Sequence, residues 1–244
     1  MIGGAAVRIK VVIPNMGMSS EILRDRERML RQVARPDTEI SVECIVKGPV
    51  SIESAYDELL ASPEIIERVV AAEREGYDAT IVYCLSDPAV DACREMVSIP
   101  VIGPGRASML VASALGFKLS IIVPLEDSIS RQEEHVRGMG IDPTRLASVR
   151  SVGIPVVDLR NDIPGTVKRL IEVGRLAVER DGAQVLVLGC LGFANMSRAV
   201  QEQVGVPVVD PAFAAVNFAE MLHMQGLSHS RRAYPRPPEK ERCL

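Results

Sequence analysis

No apolar run in this chain reaches the ~18 residues that a membrane span requires. Nothing at the N-terminus reads as a secretory signal, because the apolar stretch 7–13 is short and broken by Arg8 and Lys10. The five cysteines are an odd count and contain no CxxC pair. Reduced thiols in the cytosol are therefore expected. The three histidines, His135, His223 and His229, lack metal-ligand spacing, so no metal site is expected. A P-loop is missing. Gly103-Pro-Gly-Arg-Ala-Ser lacks the third glycine and the acidic partner of a dinucleotide fingerprint, and reads as a turn into a helix. A net charge of −4 and a pI near 5.6 argue against nucleic acid as a partner.

What is present is regular alternation. Short Val/Ile-rich runs at 7–13, 39–46, 79–83, 101–102, 118–123, 148–151, 184–188 and 208–209 read as strands. Longer helical patterns fall between them, near 19–33, 51–60, 64–75, 88–96, 106–115, 128–139, 164–180, 194–204 and 212–224. Ser62 before Pro63-Glu64 and Asp87-Pro88 read as helix starts. Gly116, Gly140 and Gly226 fit helix stops. This order predicts an α/β fold with parallel sheets covered on both faces by helices.

Two cysteines stand in matching contexts 106 positions apart. Cys84 ends Ala79-Thr-Ile-Val-Tyr-Cys, and Cys190 ends Gln184-Val-Leu-Val-Leu-Gly-Cys. Each is followed by an Ile/Val-Pro-Val strand, with the proline 16 residues on in one case and 17 in the other. The repeat predicts two pseudo-symmetric, doubly wound lobes with the active site between them. We place the first lobe at 1–100 plus 206–228, the second at 101–205, and a tail at 229–244. The basic, proline-rich end of that tail reads as solvated, with an arm lying on a neighbouring subunit as the alternative.

In parallel sheets, ligands bind at the carboxyl ends of strands, where both cysteines are expected. Helix N-termini lower a thiol's pKa, and both cysteines are predicted just before helices. Two poised thiols on either face of one ligand suit removing a proton from one side of a carbon and returning it on the other. Cys44 and Cys93 read as core, and Cys243 as tail. Asp87 reads as a helix cap or as an acceptor for a substrate N–H. Ser86, Gly192 and neighbouring backbone N–H groups read as candidates to bind a carbonyl or oxyanion. Asn15, after strand one, either presents its amide to a ligand or caps the next helix.

These motifs together resemble the aspartate/glutamate/hydantoin racemase superfamily, most closely its hydantoin and allantoin racemase branch. The resemblance runs through Pro14-Asn15, Gly48-Pro-Val-Ser-Ile-Glu-Ser, Cys84-Leu-Ser-Asp-Pro, Pro155-Val-Val-Asp-Leu, Leu188-Gly-Cys-Leu-Gly and Gly205-Val-Pro-Val-Val-Asp-Pro. It implies that Cys84 and Cys190 are the two acid/base residues, that no cofactor is used, and that the protein is a homo-oligomer. The chain departs from the family pattern at positions expected to line the pocket. Ile13 and Met16 flank Pro14-Asn15 where the family has Asn and Thr. Leu85-Ser86 replaces Phe-Gly, Val123-Pro124 replaces a Thr pair, and Leu191 and Phe193 replace Ala and Met.

The expected reaction is racemisation at a carbon α to a carbonyl, as in a 5-substituted hydantoin or an allantoin-like ring. The expected site comprises Cys84 and Cys190 as catalytic residues. Asn15, Leu85, Ser86, Asp87, Val123, Pro124, Leu191, Gly192 and Phe193 are expected to contact the substrate. Two alternatives stay open: a same-fold isomerase or decarboxylase acting on a maleate- or malonate-like dicarboxylate, and a non-catalytic small-molecule binding protein.

Overall fold

The computed structural model describes residues 6–139 and 141–241; Gly140, Cys243 and the last positions of the tail lie outside them. Strands β1 (Arg8–Ile13), β2 (Glu39–Cys44), β3 (Ala79–Val82) and β4 (Val101–Ile102) form one parallel sheet in the order β2-β1-β3-β4. Strands β5 (Leu119–Val123), β6 (Leu146–Ser151), β7 (Val185–Leu188) and β8 (Val208–Val209) form a second in the equivalent order β6-β5-β7-β8. The two-lobed, pseudo-symmetric α/β architecture follows directly from this repetition.

Strand periodicity decides which core each residue joins. Side chains alternate across a sheet. Ile9, Val11 and Ile13 of β1, and Leu119, Ile121 and Val123 of β5, all enter one core shared by the two lobes. Val12 and Val82 point the other way, under helices α2 (Ala55–Arg74) and α3 (Val90–Met96). Ile122, Leu186 and Leu188 do the same in the second lobe, under α6 (Ile163–Asp181) and α7 (Ser197–Val204). The shared core is completed by α1 (Ser20–Arg31), α4 (Pro104–Leu115), α5 (Ile129–Gly138) and α8 (Pro211–Met224).

Four expectations are corrected. The helices expected at 51–60 and 64–75 are one helix, α2, with Pro63 inside it. Ser54 is its cap: Asp57 N–H donates to Ser54 Oγ at 3.1 Å, and Asp57 Oδ2 accepts from Ser54 N–H at 2.9 Å. Ser62 instead bonds back to the Glu58 carbonyl at 2.6 Å. Ala61, Ile65, Val69 and Ala72 bury a continuous stripe against the sheet, which outweighs the hydrogen bond lost at the proline.

The second correction concerns α3, which begins at Val90. Asp87-Pro88 is not its cap, because Asp87 and Ala89 both adopt positive φ, +51° and +56°. The third moves the lobe boundaries: residues 101–102 are the last strand of the first sheet, and 208–209 the last strand of the second. The chain crosses after each of these strands. Helix α4 then packs on β7 and β8, α8 packs on β3 and β4, and the two crossing helices pack on each other.

The fourth concerns the tail, whose first part is docked on its own chain. The Arg231 guanidinium donates to the carbonyls of Arg94 at 3.0 Å, Glu95 at 3.2 Å and Val97. These are the carbonyls that the end of α3 leaves without helical partners, and a cation there also complements the helix dipole. Tyr234 packs under the Arg94 guanidinium and accepts a hydrogen bond from it at 3.1 Å. Among the described residues, no helix is long and apolar enough to cross a membrane.

Candidate active site

A cavity of about 660 Å³ opens between the lobes at the carboxyl ends of the strands. Its size falls within the roughly 300–1,000 Å³ typical of small-molecule pockets. Cys84 lies two residues beyond the end of β3, and Cys190 two residues beyond the end of β7. Both thiols line the cavity.

Each thiol is served by the residue two positions on. Cys84 Sγ lies 3.3 Å from Ser86 Oγ, and Cys190 Sγ accepts from the Gly192 N–H at 3.3 Å. The turns that create these contacts are tight. Gly189 N–H donates to the Ile122 carbonyl at 2.6 Å, and a Cβ at Gly189 would meet that oxygen at 2.5 Å. A Cβ at Gly192 would press on Leu159 Cδ1 at 2.7 Å. The three positive-φ non-glycine residues among the described residues are Asp87, Ala89 and Asn195, and all follow one of the two cysteines. Such conformations cost on the order of 1–2 kcal/mol each and recur at functional sites.

The electrostatics reverse one expectation. Helices α3 and α7 start six and seven residues past the cysteines, so neither thiol sits at an α-helix N-terminus; Cys190 caps only the single 3-10 turn Leu191–Phe193. Burial dominates instead. It pushes the Cys84 thiol up to about 11, against the pull of the Ser86 hydroxyl and N–H. It pushes Cys190 up to about 12, against the Gly192 N–H, and charge on Cys84 raises it further. Burial thus favours the protonated form of both at neutral pH. The same desolvation makes either thiolate a stronger base than an ordinary cysteine once formed.

Of the residues expected to contact substrate, Asn15, Leu85, Ser86, Val123, Pro124, Leu191 and Gly192 line the cavity. Two do not. Phe193 is fully buried among Leu159, Val200 and their neighbours, because the short 3-10 turn at Leu191–Phe193 rotates it away from the cavity. Asp87 turns from the cavity to the start of α4, where it accepts from Gly105 N–H at 2.8 Å and Arg106 N–H at 2.9 Å. The donors expected for an oxyanion also differ. Asn15 Nδ2 is engaged by the Val50 carbonyl at 3.1 Å, and the Gly192 N–H by Cys190.

Several lining residues were not singled out from sequence: Arg26, Tyr83, Gln132, Arg131, Arg160 and Glu53. Tyr83 carried a signal, since it directly precedes Cys84, just past the end of β3, and packs in the shared core. Arg26 carried a fainter one. It occupies an apolar-face position between Leu23 and Leu30 of α1, inside a run of charged residues. Two contacts pin the lobes across the cavity: Glu53 accepts from Val156 N–H at 3.0 Å, and Arg131 pairs with Glu58 at 2.8 Å. Among the described residues, no group of three or more His, Cys, Asp or Glu side chains is placed to hold a metal ion.

Comparison with known proteins agrees over nearly the whole chain. The family model for Asp/Glu/hydantoin racemase matches residues 9–219. A hydantoin racemase from Paenarthrobacter aurescens is 35% identical over 96% of this chain and 99% of its own length. One from Pseudomonas sp. (strain NS671) is 34% identical over 96% of this chain and 94% of its own. The crystal structure of allantoin racemase from Pseudomonas fluorescens superposes with a TM-score of 0.90 at 31% identity, covering 98% of this chain and 100% of that one. The chain belongs to the Asp/Glu/hydantoin racemase family.

Proposed function

We propose that this protein is a cofactor-independent racemase in which Cys84 and Cys190 exchange a proton across a carbon α to a carbonyl. The substrate we assign is a hydantoin-type ring substituted at C5, of which allantoin is one example. Racemase-type chemistry on a small carbon acid is the level that family membership supports. The hydantoin ring rests on the named relatives. The observation that carries the reading is the pair of thiols entering one cavity from pseudo-symmetric strand ends.

In this mechanism one cysteine, as thiolate, takes the C5 hydrogen as a proton. The electron pair left behind delocalises into the adjacent carbonyl as an enolate. The opposite thiol then delivers its proton to the other face of the carbon. Roles swap for the other enantiomer, so the reaction regenerates one thiol and one thiolate in either direction. Ser86 and Gly192 hold the thiolate charge through the contacts described above.

Incubation with a resolved 5-substituted hydantoin in D₂O tests this directly. The expected result is loss of optical rotation with deuterium appearing at C5. Cys84→Ser and Cys190→Ser should each lower the rate by about 10²–10⁴-fold, the usual contribution of a positioned acid or base. Full activity in both variants, or turnover of maleate or malonates without hydantoin exchange, would sink the assignment.

A further inference from the structure

The cavity wall carries three buried donor groups with nothing to donate to. Arg26, Tyr83 and Gln132 are 8%, 6% and 8% exposed, and all three line the cavity. Arg26 Nη1, Tyr83 Oη and Gln132 Nε2 have no hydrogen-bond partner among the described residues. Leaving a buried donor unmatched is costly, and leaving a buried cation unmatched more so.

The other charges around the cavity are already engaged. Arg131 is held by Glu58, and Arg160 donates to the carbonyls of Gly192 at 3.2 Å and Ala194 at 3.0 Å. Asp25 is paired with Arg28, and Glu53 with the Val156 N–H. Arg26 is thus a largely buried cation on the cavity wall, and its Nη1 has no partner among the described residues. Burial also raises Tyr83, so its hydroxyl keeps its proton and stays a donor. Gln132 adds a neutral donor from the second lobe.

We propose that Arg26 and Tyr83, with Gln132 across the cleft, form a carboxylate-recognition subsite, so that the preferred substrate carries an anionic substituent on its C5 side chain. This rests on the racemase reading for the position of the ring, but not for the existence of the subsite. A guanidinium beside a hydroxyl matches the acceptor-only edge of a carboxylate. The frame about the thiols is apolar, from Ile13, Leu85, Val123, Pro124 and Leu191. A ring with a charged side chain would set its apolar part in that frame and its carboxylate toward Arg26 and Tyr83.

The test uses two ligands of the same shape, 5-(2-carboxyethyl)hydantoin and its neutral amide, 5-(2-carbamoylethyl)hydantoin. Binding is measured by calorimetry in the full-length Cys84→Ser/Cys190→Ser protein, which reads affinity without turnover. C5 deuterium exchange is measured in the protein with both cysteines. The carboxylate should bind about ten- to hundred-fold more tightly than the amide. Arg26→Met should bring that ratio near one, Arg26→Lys should keep part of it, and Tyr83→Phe should reduce it.

Absence of a carboxylate preference, or its survival in Arg26→Met, overturns the subsite. It is also overturned if Arg26→Met slows exchange of both ligands equally and leaves their relative affinities alone, because the arginine then acts on the enolate. A carboxylate preference that Arg26→Met abolishes, found without C5 exchange, keeps the subsite and removes the racemase reading.

Discussion

Asp87 and Asp210 perform the same task from opposite ends of equivalent connections. Asp87 belongs to the loop after Cys84 and reaches forward to cap α4 through Gly105 and Arg106. Asp210 sits at the start of α8, accepts from Ala212 N–H at 3.0 Å, and reaches back to Asn195 N–H at 2.7 Å in the loop after Cys190. In each lobe one carboxyl group ties the cysteine loop to the crossing helix that follows. Burial pushes both carboxyls up, to about 7 and about 6, against the pull of those N–H groups.

The first prediction concerns this tie. Asp87→Ala leaves two buried N–H groups unmatched and should cost about 1–3 kcal/mol in urea unfolding. Asp87→Asn keeps a carbonyl acceptor and tolerates positive φ, so it should cost under about 1 kcal/mol. Racemase activity should fall further in the alanine variant than in the asparagine variant, because the Cys84 loop loses its anchor.

Close approach at α4 gives a second test. A Cβ at Gly105 would collide with the Leu85 carbonyl, which belongs to the same loop. Gly105→Ala should therefore destabilise by about 1–3 kcal/mol despite alanine's better helix propensity. Gly138 in α5 has open space at its Cβ position, and Gly138→Ala should stabilise by about 0.4–1 kcal/mol. Thermal denaturation of both variants checks the contrast.

The raised thiols fix the direction of the pH dependence. With Cys84 near 11 and Cys190 near 12, thiolate is scarce at neutral pH. kcat/KM for exchange should rise about tenfold per pH unit between pH 7 and 10. Stability runs the other way. An unfolded cysteine loses its proton near ~8.5, while the folded thiols hold theirs to about 11 and 12. The native state binds more protons in that window, so stability should fall as pH rises through it. Replacing both cysteines with serine should flatten the slope.

The docked tail makes a fourth prediction. Arg231→Ala removes a cation from the end of α3 together with its bonds to three carbonyls and to Ser98 Oγ at 2.9 Å. The expected loss is about 1–2 kcal/mol of stability, with faster amide exchange in α3. Unchanged exchange there would mean that the tail does not brace this helix.

Much of this protein was determined by its sequence alone. Strand periodicity assigns Ile9, Val11 and Ile13 to one core and Val12 to another, because side chains alternate across a sheet whatever packs on it. The repeated contexts of Cys84 and Cys190 place both thiols at strand ends, since a buried apolar run followed by a turn has few other outcomes. Tertiary structure decided the properties that depend on residues distant in the chain. Neither the Asp87 link to Gly105 nor the docking of Arg231 on α3 is a local geometry. Desolvation, which comes from everything packed around a group, lifted the thiols that helix ends were expected to lower. Arg26 reads as one charge among several on α1, and only the fold buries it beside Tyr83 with an unmatched donor.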